Sequence, residues 1–470
     1  MENGAVPLIN IVGREYVRTD AASREIYGAD ALKRGHPADV VVLPANTAEV
    51  AAIARFCHAT RTPLVPRGGG TGYTGGAVPV RGGVLMSLER LNRILEIDEE
   101  NLLAVVEPNV VTGDLQDAVE RVGLFYPPDP ASLKQSVIGG NVAECAGGPR
   151  AFKYGVTKQY VLGTEAVLPT GEVIKTGGKV VKNVVGYDLT HLLVGSEGTL
   201  AILTKIILRL IPKPPVQATM RATFPSVTHA VDAVIRLVRA RVVPAALELI
   251  DGDCLEAVAA NLKVRSLAPE GTAALLLVEV DGLSEQVGGE ATRVEQACRD
   301  AGATEFLRAR DEAGRQELWR VRRELSPSLK MIAPLKFNHD VVVPKARVPQ
   351  LFALIDDIKR RFRLRIPCFG HVGDGNIHVN IMASPDDADE IRRVHEAEDV
   401  LFTSVVALEG SISGEHGIGF AKAKYLGIEL TPETIALMKR VKAAFDPHGI
   451  LNPGKIFPDE IDPAVVLRAQ

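Results

Sequence analysis

Short apolar runs, mostly of β-branched residues, alternate along the chain with glycine- and proline-rich segments. Only a few stretches show the three-to-four-residue spacing of an amphipathic helix. Residues 40–43 form the first such run. Pro44, Ala45, Asn46 and Thr47 supply a stop and an N-cap, 48–60 have helical periodicity, and Leu64 and Val65 resume an extended segment. A glycine-rich loop follows from Arg67 to Gly76. Further strands are predicted over 83–88, 103–107, 161–168, 198–204 and 206–210, around a second glycine- and alanine-rich segment over 139–155. Such a mixture predicts an α+β fold rather than a doubly wound sheet.

The clearest boundary is the run 211–215, where three prolines in four positions can continue neither a helix nor a central strand. Beyond it, helices are predicted over 228–240, 284–301, 309–330 and 348–362. Strands are predicted over 273–280 and 340–343, a hairpin over 366–382, and a tail with one helix from Thr431. The expected division is 1–215, 216–425 and 426–470, with no internal repeat.

At 470 residues the chain exceeds one ordinary core. Its 46% hydrophobic and 24% charged content is that of a folded globular protein. A net charge of −4 without a basic run excludes an electrostatic footprint for nucleic acid. Five scattered cysteines without a C-x-x-C argue against a disulfide framework, a zinc ribbon or an iron–sulfur cluster. The start has no basic region or signal-length apolar run, and no stretch reaches the roughly 20 apolar residues that span a bilayer. A cytoplasmic protein, or one peripheral on the inner face of the membrane, is expected.

Two segments carry chemistry. In 66–76, six glycines in nine residues allow successive backbone N–H groups to converge on phosphate oxygens. The loop runs into another strand instead of a helix, which disfavours a nicotinamide site. With the second glycine segment, it fits a long dinucleotide better than a single phosphate. In 370–380, Asp374-Gly375 predicts a two-residue type I′ turn. That register sets His371 directly opposite His378, with Asn380 on the same face, as a two-histidine metal chelate. A third ligand is available from Ser413–Gly419, where Glu415 and His416 are adjacent: one can bind metal and the other act as acid or base. Such a donor set suits Zn²⁺ first, and also Mn²⁺, Fe²⁺ or Co²⁺.

Taken together, 66–76, Pro128-Asp129-Pro130, Gly139-Gly140-Asn141, Gly186-Tyr187-Asp188-Leu189, 195–199, the His371 hairpin, 413–419 and 451–455 resemble the FAD-linked oxidase family typified by vanillyl-alcohol oxidase. More narrowly, they are similar to its D-lactate, glycolate and D-2-hydroxyglutarate dehydrogenase branch. The resemblance runs from about Val40 to Phe457. It implies a two-part FAD-binding domain, an α+β substrate cap and a C-terminal helical segment returning to the flavin. It implies that backbone groups of Arg67, Gly68, Gly69, Gly70, Thr71 and Gly72 hold the pyrophosphate. Asp129, Ser132, Gly140, Asn141, Glu197, Gly198 and Ile202 would line FAD, with Asn452 near its ring. It further implies His371, His378 and Glu415 as metal ligands, Asn380 as a substrate contact, His416 as general base and Arg322 as the substrate-carboxylate anchor. Ser326 stands where the 2-hydroxyglutarate branch has threonine. Asn338 stands where that branch has lysine; Lys336, two residues earlier, is the alternative that would join Arg322 in anchoring the substrate carboxylate. These departures favour a short monocarboxylate.

The expected activity is FAD-dependent, metal-assisted oxidation of a small D-2-hydroxy acid to the 2-oxo acid. No iron–sulfur motif or nicotinamide site is evident, so electrons should pass to an external acceptor: an electron-transfer flavoprotein, a quinone or an iron–sulfur subunit. A homodimer is an open alternative. So are D-2-hydroxyglutarate oxidation and a non-redox flavoprotein like the ether-lipid synthase. A zinc hydrolase would leave the glycine segments unexplained, and a nucleotide-binding module would leave the histidine pair unexplained.

Overall fold

The computed structural model describes residues 2–31, 34–457 and 468–469. Residues 458–467 and 470 of the expected tail lie outside the described residues. The chain divides into two compact units, one of residues 1–147, 156–213 and 415–470, the other of 148–155 and 214–414.

The first unit holds two sheets. The four-stranded one runs in the order Val17–Arg18, Val40–Val42, Val84–Ser87, Leu64–Arg67, with the last three strands parallel. The helix Thr47–Thr60 makes the crossover between two of them. The Asn46 side chain caps it by accepting from the amide of Glu49, and Val50, Ile53, Ala54 and Cys57 bury its inner face. Leu8 and Val12 of the helix Glu2–Val12 enter the same core. The second sheet is antiparallel, in the order Val173–Gly177, Val161–Val167, Ile202–Arg209, Leu103–Val106, Ile94–Asp98. The strands expected over 198–204 and 206–210 are one strand, Ile202–Arg209, whose pairing shifts between Leu203 and Lys205. A bulge absorbs the irregularity that the sequence pattern read as a break. The segment 138–144, expected as a permissive loop, is the short helix Ile138–Glu144. Tertiary packing of Ile138 and Val142 outweighs its two glycines.

The second unit is built on a seven-stranded antiparallel sheet. Its order is Glu305–Arg308, Val216–Phe224, Ala274–Gly282, Ala246–Asp251, Cys368–His371, Asn376–Ala383, Leu335–Val342. Helices Gly252–Leu262 and Glu312–Ser328 cover one face through Val258, Val321 and Leu325, against Ile250, Leu275, Leu277 and Phe369. Helix Ala388–Ala407 lies on the other face, where Phe402 and Glu398 meet His339. Among the described residues no helix is long and apolar enough to cross a membrane.

Candidate active site

In the second unit, four neighbouring strands turn polar side chains to one face of an otherwise apolar sheet. Register places Glu248 opposite His371, His371 opposite Asn376, His378 opposite Asp340 and Asn380 opposite Asn338. Directly opposed residues share a face, as do alternate residues of one strand. The face therefore carries Glu248, His371, Asn376, His378, Asn380, Asp340, Asn338 and Lys336. All but Asn338 and Lys336 are buried.

The hairpin differs from the sequence expectation in its turn. His371 pairs with Asn376 and Phe369 with His378, so the loop is the four residues 372–375 and His371 is not directly opposite His378. A type I′ turn needs positive φ at both central residues. Only Gly375, at φ 78°, is left-handed here, while Asp374 is not. The loop closes instead by Asp374 N–H donating to the His371 carbonyl and Gly375 N–H to the Val372 carbonyl. The register has slipped by two, and an even slip keeps both imidazoles on one face. They become diagonal neighbours with ring centroids 5.3 Å apart.

Sequence reasoning missed Glu248. Its side chain is fully buried. One carboxylate oxygen accepts from Arg322 Nε and the other lies on His371 Nδ1, each at 2.5 Å. Burial alone would raise its pKa, but the charges of His371 and Arg322 and their hydrogen bonds bring it to about 2. The signal was legible: a lone carboxylate in the apolar run Ala246-Leu-Glu-Leu-Ile250 must find a partner if that run is a central strand. Arg322 projects from helix Glu312–Ser328 with its guanidinium carbon 4.8 Å from the Phe369 ring centroid. Among the described residues its two Nη groups donate no hydrogen bond.

Asn380 accepts from Asn338 Nδ2 at 2.7 Å and donates to the carbonyls of Pro367 and His378. Lys336 donates to Ser326 Oγ at 2.7 Å, and burial lowers its pKa to about 8. Strand alternation puts both Lys336 and Asn338 on the face of Asn380.

In the first unit, the glycine loop leaves the parallel strand Leu64–Arg67. Arg67 Nη1 donates to the Ala29 carbonyl. Among the described residues, the amides of Gly69, Gly70, Thr71 and Gly72 donate no hydrogen bond. Gly70 has φ +65°, and a Cβ there would lie 2.1 Å from Arg67 Nη2. The loop lies against 135–140: a Cβ on Gly68 or Gly69 would meet Val137 or the Gln135 carbonyl at 2.6 Å. Asn452 Nδ2 bridges the carbonyls of Gly76 and Glu197, both at 2.8 Å, while its buried Oδ1 has no partner among the described residues. Gly198 sits beside Pro66 and Asn452. Gln116 holds the carbonyls of Tyr126 and Pro128 ahead of Asp129, the Ser132 carbonyl closes the following turn, and Asn141 donates to Thr112. Consecutive undonated amides, a left-handed glycine and a buried amide oxygen fit a diphosphate and a polar heterocycle, so the residues present suit FAD. Two of the expected lining residues have side chains packed or bonded within this unit. Ile202 is buried in the apolar core, and both Glu197 carboxylate oxygens accept from the amides of Ile418 and Gly419 at 2.7 Å.

Those bonds anchor the loop that carries His416. The His416 carbonyl accepts from Thr74 Oγ1, and its ring lies 5.2 Å from that of Tyr73, so the imidazole stands at the end of the glycine loop. Its Nε2 is 4.0 Å from Glu415 Oε1.

Residues 38–177 match the family model described as FAD binding domain, and 213–456 match that of FAD linked oxidases, C-terminal domain. The chain belongs to the FAD-linked oxidases. As such an oxidoreductase, it is 42% identical over 98% of its length to the glycolate oxidase subunit GlcD of Bacillus subtilis, of which 97% is covered. It is 36% identical to a probable mitochondrial D-lactate dehydrogenase of Danio rerio, over 95% of this chain and 90% of that one. This FAD-linked oxidase also shares its fold with p-cresol methylhydroxylase, at TM-score 0.81 and 19% identity over 98% of both chains. The α+β, vanillyl-alcohol-oxidase-type architecture and the flavin expected from the sequence are thereby established.

Proposed function

We propose that this FAD-linked oxidase oxidises a short D-2-hydroxy acid, of the D-lactate or glycolate class, to the 2-oxo acid. The observation carrying this reading is the polar face of the second unit, where an arginine, two imidazoles and an amide converge within an apolar core. Relatives named glycolate oxidase and D-lactate dehydrogenase over nearly the whole chain support it.

Arg322, tied at Nε, offers its Nη pair to the substrate carboxylate, a charge-assisted and directional contact. Asn380, locked by Asn338 and two carbonyls, orients the substrate. His416 takes the hydroxyl proton, because its ring stands at the glycine loop and imidazole is the commonest general base. FAD, held by 67–72, the 129–141 segment, Glu197, Gly198, Ile202 and Asn452, supplies the two-electron acceptor. His371, His378 and Glu415 are assigned to one divalent metal, zinc in first place, which supplies Lewis acidity at the hydroxyl. Supporting that assignment, the two imidazoles share a face. The chain also enters Glu415 directly from Gly414, whose amide is held by Asp340 of the same face. Electrons leave to an external acceptor, and residues 216–425 serve as the cap. One observation favours a second reading, D-2-hydroxyglutarate: Lys336 lies on the same face as Asn380 and offers a further cation.

Anaerobic addition of D-lactate, glycolate and D-2-hydroxyglutarate to the yellow protein tests this. Bleaching by one of the first two at low concentration is expected. Preferential bleaching by the dicarboxylate selects the second reading, and bleaching by none refutes both.

A further inference from the structure

We propose that Glu248 is a positioning residue that locks the metal ligand His371 and the substrate anchor Arg322 to one buried anion. The inference rests on the metal assignment just made and deepens it.

Geometry leaves little freedom. Glu248 is the third of six residues in strand Ala246–Asp251, fully buried, with both carboxylate oxygens engaged. A carboxylate paired to a guanidinium is an acceptor only. The proton shared with His371 therefore sits on Nδ1, so the neutral, metal-binding form of the ring carries its lone pair on Nε2. A ligating histidine commonly donates its other N–H to a carboxylate, which sets tautomer and ring orientation together. The second oxygen engages Arg322 through Nε alone, leaving the Nη edge of the fork to a substrate. One side chain thus aims both groups. Cross-strand register supports the pairing independently of rotamers, since Glu248 and His371 are directly opposed.

The test uses the FAD-loaded protein and Co²⁺ as probe, followed by its visible absorption. Glu248→Gln keeps the shape but loses the charge and one of the two acceptor oxygens. It should bind Co²⁺ roughly 10–100-fold more weakly than wild type, the usual scale for an outer partner of a ligand. The KM for the bleaching substrate should rise while FAD content is unchanged. A purely structural role would lower the melting temperature without moving Co²⁺ affinity or KM. If wild type binds Co²⁺, His371→Ala does not, and Glu248→Gln binds as wild type, this inference is overturned while the metal assignment stands. If wild type binds no Co²⁺, the assignment itself falls. Should Glu248→Gln fail to fold, ¹⁵N-histidine spectra of the wild type decide: an Nδ1–H tautomer at His371 is expected, and Nε2–H overturns the proposal.

Discussion

Arg322→Met removes the guanidinium from Glu248 and changes little in volume. The wild-type pair is almost dry, with side-chain exposures of 8% for Arg322 and 0% for Glu248. Breaking a buried pair by deleting one partner costs about 3–5 kcal/mol, because the remaining charge stays desolvated. His371 remains on the other carboxylate oxygen, which places the expected loss near the lower limit, about 3 kcal/mol. With a urea dependence of roughly 2–3 kcal/mol per molar, the midpoint should fall by about 1 M. Trp319, the chain's single tryptophan, lies on the same helix with its indole N–H on Glu279, so its fluorescence follows this unit. Adding Glu248→Gln to Arg322→Met should restore part of the midpoint, giving a coupling that a double-mutant cycle isolates. A midpoint unchanged in Arg322→Met, or strictly additive losses in the double variant, would refute a shared buried anion.

Gly70→Val should purify folded but largely colourless, since a side chain there meets Arg67 and the backbone must leave φ +65°; full flavin absorbance in the purified variant would reject the pyrophosphate assignment. Glu415→Gln should lower metal content and activity together. His416→Ala should keep metal and FAD while slowing single-turnover flavin reduction by roughly 10²–10⁴-fold; the reverse pattern would exchange their roles. Lys336 loses its charge as pH rises through about 8. If it anchors a second carboxylate, KM for D-2-hydroxyglutarate should climb above that pH while KM for D-lactate stays level, and Lys336→Met should abolish the climb.

What the sequence made legible was local or periodic. Asn46 announced the helix Thr47–Thr60, and the glycines from 68 to 76 announced a loop in which the amides of Gly69, Gly70, Thr71 and Gly72 donate no hydrogen bond among the described residues. The histidine pair survived a wrong turn because strand faces repeat every two residues, so an even slip left His371 and His378 together. What stayed hidden depended on partners distant in sequence. Glu248 finds Arg322 and His371 across 74 and 123 residues. The Glu197 carboxylate accepts from amides 221 and 222 residues away. The apolar run around Glu248 shows that it needs a partner, but neither composition nor spacing names the partners in either pairing. The strand Val216–Phe224 was obscured by the prolines before it, and helix Ala388–Ala407 by the charged residues along its exposed side.

In the proposed reaction the bound flavin takes the α-hydrogen of a short D-2-hydroxy acid. Anaerobic stopped-flow reduction with D-lactate and its α-deuterated form, monitored at the flavin absorption band, measures that transfer directly. Saturable bleaching by D-lactate, slowed severalfold by deuterium, and little response to L-lactate are expected. Flavin that stays oxidised with D-lactate and glycolate alike, in protein shown to carry FAD and metal, would contradict that transfer.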